Sequence, residues 1–239
     1  MDKSNYINLG RQSGLMQEMR SVANNLANVS TTAYKRESAV FTEYVISLEN
    51  NSPSISMSRI GAHYTDFSQG GQKQTGAPLD IAIAGDGFFS LNTPLGIRLT
   101  RAGHFIIDQE QRLVTIEGYA VLDETGGEIA LPAGAADIAI ASDGTMSAAG
   151  TPFARLGIVS SAPEKLTRDG DRLWRPLDGY EPAQDVRIQQ GALEQSNVNP
   201  VLEISRLIEV QRSYEAGQFL LDRDDDRLRK VIEAIEQLR

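Results

Sequence analysis

The chain has no cysteine in its 239 residues, so it forms no disulfide, carries no thiolate nucleophile and offers no cysteine ligand to a metal. Histidine is almost as scarce. His63 and His104 are the only two, and neither stands with a second histidine or a carboxylate pair at metal-ligand spacing. Aromatic residues make up 6% of the chain and Trp174 is the single tryptophan, which leaves little for the exposed platforms of a carbohydrate-binding module. No apolar run is long enough to span a bilayer, so no membrane insertion is expected. The opening MDKSNYINLGRQSGLMQEMR has neither the apolar stretch nor the small-residue cleavage site of a signal peptide. A Lys/Arg stripe is missing too. With a net charge of −9, the chain would be repelled by phosphate backbones and by anionic lipid, so nucleic acid is not an expected partner.

What is present sorts by periodicity. Over residues 5–29, Leu15, Val22 and Val29 recur at one heptad position and Met19 and Leu26 at another, with Met16 and Ala23 widening the stripe. Asn24, Asn25 and Asn28 crowd this segment although Asn is a poor helix former. Asn24 and Asn28 fall away from the stripe, and Asn25 flanks it. At the other end, Asn199 is placed to cap a helix, with Pro200 at its first position and Glu203 in its first turn. Leu207, Tyr214, Leu221, Leu228 and Ile235 then recur every seventh residue. Ile204, Val231, Ile232 and Leu238 supply parts of a second seam position, which Gln211, Gly217, Gln218, Asp224 and Asp225 weaken.

Between the two helices the pattern changes twice. Residues 42–78, with NNSPSIS and SQGGQKQTGAP, read as an extended connector with little core. From Asp80 onward, short apolar runs (LDIAIAG, GFFSL, GIRLT, HFIID, RLVTI, YAVLD, IAIAS, RLGIV) alternate with Gly-Gly and Asp-Gly turns, the signature of an antiparallel β-domain. No helix-length segment alternates with these runs, which excludes a doubly wound parallel sheet. The expected fold class is α+β: N- and C-terminal helices pairing as a coiled coil, with an antiparallel β-rich domain inserted. The expected divisions are 1–35 with 197–239 as a helical assembly domain, 36–78 as the connector and 79–196 as the β-rich domain. Isolated helices are marginal in water, so each terminal stripe needs the other and then further burial against other subunits.

The motifs that suggest chemistry fail on their details. In AIAGDGFFS, Gly85 and Gly87 follow a strand, but Ser90 holds the third glycine position of a dinucleotide fingerprint and no helix follows; a hairpin turn accounts for it. Asp222, Asp224, Asp226 and Glu233 occupy ligand positions of a calcium loop whose obligatory glycine is Arg227 here. They read as an ion-paired helix surface, with Asp225 and Arg229 four residues apart. Asp80 and Asp86 flank a turn at a spacing that a glycosidase acid pair would tolerate, although turn-forming aspartates are common. No cofactor, metal site or catalytic set emerges, and no enzymatic activity is expected.

Several of these stretches resemble one family. VANNLANVSTTAYKRE is similar to the N-terminal signature of bacterial flagellar basal-body rod and hook proteins. TDFSQGGQKQTGAPLDIAIAGDGFF and TRAGHFIIDQEQRLVTIEGYAVLDETGGEI resemble the segment leading into their β-domain and its continuation, and QGALEQSNVNPVLEISRLIEVQRSYEAGQ resembles their C-terminal signature. The resemblance spans both termini and most of the middle. It implies a structural, self-assembling axial subunit, exported unprocessed by the flagellar type III apparatus and built into the rod in the periplasm. Its implied partners are copies of itself and related rod proteins.

On the same ground the implied assembly interface comprises Leu15, Met19, Val22, Asn24, Asn25, Leu26 and Asn28 of the first helix and Asn197, Asn199, Ile204, Leu207, Ile208, Gln211, Arg212, Tyr214, Leu221, Leu228 and Ile235 of the C-terminal signature and helix. Amides can donate and accept at once, so Asn24, Asn25 and Asn28 would meet neighbouring subunits without like-charge repulsion. Ala33 and Gln111 stand where the family usually has Gly, which puts a left-handed backbone at the helix exit in question. The competing reading is a secreted β-rich protein that cleaves or binds cell-wall carbohydrate.

Overall fold

The computed structural model describes residues 3–46, 55–135, 137–170 and 172–236. The class is α+β, and the chain divides into two compact units: Met1–Val29, Arg36–Asp66 and Val198–Arg239 form one, Ser30–Lys35 and Phe67–Asn197 the other.

The first unit contains α1 (Lys3–Ala27), the strands β1 (Glu37–Ile46) and β2 (Ile55–Thr65), and α2 (Pro200–Glu236). α1 ends where the Asn28 side chain turns back and donates to Asn24 O at 2.9 Å, satisfying a last-turn carbonyl. α2 starts where Asn199 Oδ1 accepts from the amides of Val201 and Leu202, an N-cap ahead of Pro200. The expected connector is corrected in part. Residues 37–65 are extended, but β1 and β2 pair antiparallel from Glu37↔Thr65 to Ile46↔Ile55, with a register shift between Val40 and Phe41. Extended chain leaves its amides unpaired unless a second strand accepts them, and here each half of the segment supplies the other's partner. The helix α2 runs straight through Asp222–Glu233, where Arg229 pairs with Asp225 at 3.1 Å, so that stretch is helix surface and forms no loop.

The second unit is the expected antiparallel β-domain. Its nine-stranded sheet is built on β5 (Phe88–Thr93), which pairs antiparallel with β6 (Gly96–Thr100), β9 (Ala120–Val121) and β13 (Ile158–Ser160). Because side chains alternate across a strand, the Phe88-Phe89 pair sends one ring to each face. Phe89 joins a core of Ile81, Leu91, Phe105, Leu113, Val121 and Met146, while Phe88 joins Leu99, Val159 and Trp174. Burial on both faces explains why this strand opens with two adjacent large apolar residues and does not alternate.

The segment 85–87 is no hairpin turn. β4 (Ile81–Ala84) pairs with β17 (Arg187–Gln190) and not with β5, so Gly85-Asp86-Gly87 carries the chain from one sheet to another.

Ala33 and Gln111 both adopt the left-handed conformation, at φ 58° and 62°. A side chain there costs roughly 1–2 kcal/mol, partly offset by the 0.5–1 kcal/mol entropic cost of glycine. Gln111 is exposed, so its side chain has little packing to lose. Gln111→Gly is therefore expected to stabilise the second unit by about 0.5–1 kcal/mol, a rise of roughly 1–4 °C in the melting temperature of a chain this size.

The turns of this unit also set its pH response. Asp143 is held below the usual carboxylate range by the amide and then the hydroxyl of Thr145. Burial works against the charge of Asp123, but donors from Thr125 and Gly127 outweigh it and lower its pKa. A depressed folded pKa gives stability that is complete above the unfolded value near 4 and lost as pH falls through the folded value. Urea melts followed by Trp174 fluorescence should show a constant midpoint from pH 7 to 5 and a fall below about pH 4. Asp123→Asn should flatten part of that fall.

Candidate assembly interface

Each unit encloses a carboxylate that cannot stay charged without partners. In the second unit it is Glu194, whose side chain is fully buried at the end of β18 (Ala192–Glu194). Lys35 Nζ, itself buried, approaches Glu194 Oε1 to 2.6 Å and also donates to Ser68 O at 2.7 Å. The Gly70 amide donates to the same Oε1 at 3.1 Å. A Cβ on Gly70 would sit 2.0 Å from Gln195 O, so only glycine lets the loop come this close. Arg101 Nη1 reaches Glu194 Oε2 at 3.4 Å, and its Nη2 donates to Gly85 O. Burial lowers the pKa of the Arg101 guanidinium, against the pull of Glu194 and Asp86. The left-handed turn at Ala33 aims its N–H at Glu194 O, 2.9 Å away.

In the first unit the buried carboxylate is Glu203, one turn into α2. Arg36 Nε donates to Glu203 Oε1 at 2.5 Å, and Asn25 Nδ2 donates to Oε2 at 3.2 Å. Asn25 also pairs with the backbone of Glu37 in both directions: Nδ2 to Glu37 O at 2.8 Å, and Glu37 N to Oδ1 at 3.0 Å. The expectation for Asn25 is thereby corrected. It lies on no outer face but is fully buried, joining α1, β1 and α2 of its own chain. Asn28 is half-buried and caps α1, and Asn24 is exposed. In the second unit Asn197 is half-buried and donates from Nδ2 to Ser68 O at 3.2 Å.

The two helices run antiparallel in contact, because rising numbers on α1 meet falling numbers on α2. Gln12 bonds Tyr214 O, Glu18 pairs with Arg206, and Asn25 meets Glu203. Burial opposes the charge of Arg206, and hydrogen bonds to Glu18 and Glu209 outweigh it and raise its pKa.

The sequence-predicted stripe is displaced from the buried one. On α1 the buried residues are Gln12, Gly14, Glu18, Ser21, Val22 and Asn25, while Leu15, Met19 and Leu26 are half-buried. On α2 Glu203 and Val210 are buried at seven-residue spacing, Gly217 continues that row half-buried, and Leu207, Tyr214 and Leu221 lie half-buried beside it. Ile204 and Ile208, expected in the seam, are 45% and 46% exposed. Gln211 and Arg212 are exposed as well, and Gln211 donates to Glu215. The side chains of Leu228, Val231, Ile232 and Ile235, and residue Leu238 as a whole, lie outside the described residues.

Sequence reasoning missed Lys35, Arg36, Glu194, Gln12 and Val210 and assigned Glu203 only to a helix terminus. The consecutive cations in AYKRE and the two glutamates flanking SNVNP were the available signal.

The carbohydrate reading loses its supports. Asp80 is 4% exposed and its Oδ1 lies 2.5 Å from His104 Nδ1, so it does not stand open with Asp86 as an acid pair. Trp174 is buried and presents no platform. Among the described residues, no helix is long and apolar enough to cross a membrane.

A family model described as the flagellar hook protein FlgE/F/G D1 domain matches residues 82–148, and one described as the flagellar basal body rod FlgEFG protein C-terminal matches residues 189–234. The chain is 37% identical to a flagellar basal-body rod protein FlgF of Caulobacter vibrioides over 100% of both chains. It is 34% identical to the FlgF of Rhizobium meliloti, covering 96% of each. A FlgG of Bacillus subtilis is 30% identical over 97% of this chain and 98% of its own.

Removing one member of a buried ion pair leaves the other charge uncompensated. Lys35→Met is expected to cost the second unit about 3–5 kcal/mol in urea unfolding, whereas Lys35→Met with Glu194→Leu should recover only part of that loss, because the buried Arg101 then loses its carboxylate.

Proposed function

The chain belongs to the flagellar rod and hook protein family, and from that premise we propose that it is a structural, non-enzymatic subunit of the bacterial flagellar basal-body rod. It leaves the cytoplasm through the flagellar type III export apparatus. In the periplasm it polymerises with copies of itself and related rod proteins into the axial drive shaft on which motility depends. Its helical assembly domain, residues 1–35 with 197–239, pairs as a coiled coil in the assembled rod, with residues 36–78 as the connector and residues 79–196 as the β-rich domain.

The observation that carries this reading is the set of large apolar side chains that α2 leaves uncovered: Val201, Leu202, Ile204, Ile208, Phe219 and Leu220, between 45% and 69% exposed. α1 adds Leu9 and Met16. A patch of this kind on a helical surface marks an interaction site. Covering the remaining half of each α2 side chain yields about 1 kcal/mol apiece, some 6 kcal/mol together. Association itself costs roughly 4–15 kcal/mol, so one neighbour gives little net affinity. Growth is then favoured only where a subunit meets several neighbours at once, at the tip of an existing rod. Head-to-tail contacts that do not close on themselves extend such a structure as a helical tube.

Because Ile204 and Ile208 are exposed, charging them tests the interface without emptying the core. The double variant Ile204→Asp with Ile208→Asp should retain its circular dichroism spectrum and melt within about 2 °C of the parent. It should be missing from purified basal bodies and leave cells non-motile. Basal bodies that carry the double variant at the normal level would refute the assignment.

A further inference from the structure

The inner face of the helical pair holds one contact that stability does not explain. Gln12 is 9% exposed, and its Nε2 donates to Tyr214 O at 3.0 Å, a carbonyl in the middle of α2. Its Oε1 is buried and has no hydrogen-bond partner among the described residues. The amide lies directly on the α2 backbone at Gly217, where a Cβ would come within 2.3 Å of Gln12 Nε2. A buried amide that leaves its oxygen unpaired is a poor device for holding helices together, since an apolar side chain of the same volume would carry no such penalty. Single buried polar residues in helical seams are instead the known means of fixing register.

The sequence of α2 makes this seat unique. Gly217 is the only glycine between Pro200 and Glu236. A shift of α1 by one heptad would bring Gln12 against Val210 or Asp224, where a side chain fills the seat and the Tyr214 carbonyl is out of reach. The flanking contacts add unequally: Asn25 on Glu203 is buried and also resists a slip, at the start of α2. Arg206 is a long side chain, 45% exposed, that can follow Glu18 through a range of positions. Heptad repeats are degenerate under a seven-residue slip, so some feature must break that degeneracy.

We propose that Gln12 seated on Gly217 is a register key of the terminal helices, the contact that holds the middle of α2 to one alignment with α1 where Asn25 holds its start. In a polymer where every helix meets several others with the same repeat, the key identifies a helix's own partner. A slipped or exchanged pairing would bury the Gln12 amide with neither its carbonyl nor its seat. The key concerns contacts inside one chain, so it stands or falls separately from the rod assignment.

The absence of cysteine permits a direct test in the full-length chain. Glu18→Cys with Arg206→Cys reports the native alignment to a short bismaleimide cross-linker, and Glu18→Cys with Ser213→Cys reports the alignment slipped by seven residues. With Gln12 and Gly217 intact, only the first pair should link within the chain. Gln12→Leu keeps the bulk and removes the donor, and Gly217→Ala closes the seat. Each should raise the slipped product by about tenfold or more while the helical circular dichroism signal persists. Native linkage alone in both variants would overturn the proposal. So would parallel loss of both links with the helical signal in Gln12→Leu, because that is the result of a stabilising contact without register selection.

Discussion

A carboxylate taken out of water must be met by positive charge and by hydrogen-bond donors, and this chain meets that requirement twice with adjacent residues. Lys35 neutralises Glu194 in one unit and Arg36 neutralises Glu203 in the other. The pairs differ as their side chains do. The Lys35 ammonium is a compact charge enclosed with Glu194, and it also satisfies the Ser68 carbonyl. The Arg36 guanidinium keeps one edge in water, with its side chain 37% exposed, and bonds both Glu203 and the Ser38 hydroxyl. Ion pairs of this kind add little to net stability over apolar replacements, but a wrong pairing leaves a buried charge alone. Their effect is to make one arrangement of each unit far better than its competitors.

The same logic governs the division of apolar surface in the helical unit. Where α1 faces α2, the polar contacts are Gln12 on a glycine, Glu18 with Arg206 and Asn25 with Glu203; Val210 is buried in the same row, and Val201, Leu202, Ile204 and Ile208 lie outside it. A helix pair optimised as a free-standing object would put Ile204 and Ile208 inside and the amides outside. The inverted arrangement spends polar complementarity on intrachain alignment and leaves hydrophobic area for contacts that form later. Such a subunit is specific within itself and adhesive toward others.

Much of this was legible in the sequence, and the failures have a common physical origin. The β-domain could be read because its runs are apolar on both faces and its turns are Asp-Gly and Gly-Gly. The hairpin of β1 and β2 was hidden by its flanks. Ile55 and Met57 alternate with Ser56 and Ser58, a period of two, but NNSPS before them and SQGGQKQTGAP after the strand dominate any averaging window. The heptad on α2 is plain in the sequence, yet hydrophobicity alone points its inward face at the most apolar positions. Of the residues that do face inward, Glu203 and Gly217 owe their place to Asn25 and Gln12, 178 and 205 positions away in the chain. Periodicity reports which residues share a face. It does not report which face finds a partner when that partner is polar and distant.

The crowded asparagines of α1 show what such distant pairing does to composition. Three positions within five residues carry the same poor helix former, and the structure gives them different tasks. Asn28 ends the helix by returning its amide to Asn24 O, which a good helix former in that place would not do. Asn25 fills a buried site with two acceptors and one donor around it: Glu37 O, Glu203 Oε2 and Glu37 N. Only a side chain with both a carbonyl and an NH₂ group serves all three, and aspartate there would set a second negative charge against Glu203. Asn24, exposed beside them, is the one whose amide faces solvent. The loss in helix propensity at 25 and 28, a few tenths of a kcal/mol each, is small beside the cost of leaving a buried carboxylate or strand amide unsatisfied, which is about 1–3 kcal/mol or more. The composition of this segment therefore follows from the two groups it must satisfy, the Glu203 carboxylate and the first peptide of β1, and a helix-favouring sequence would satisfy neither.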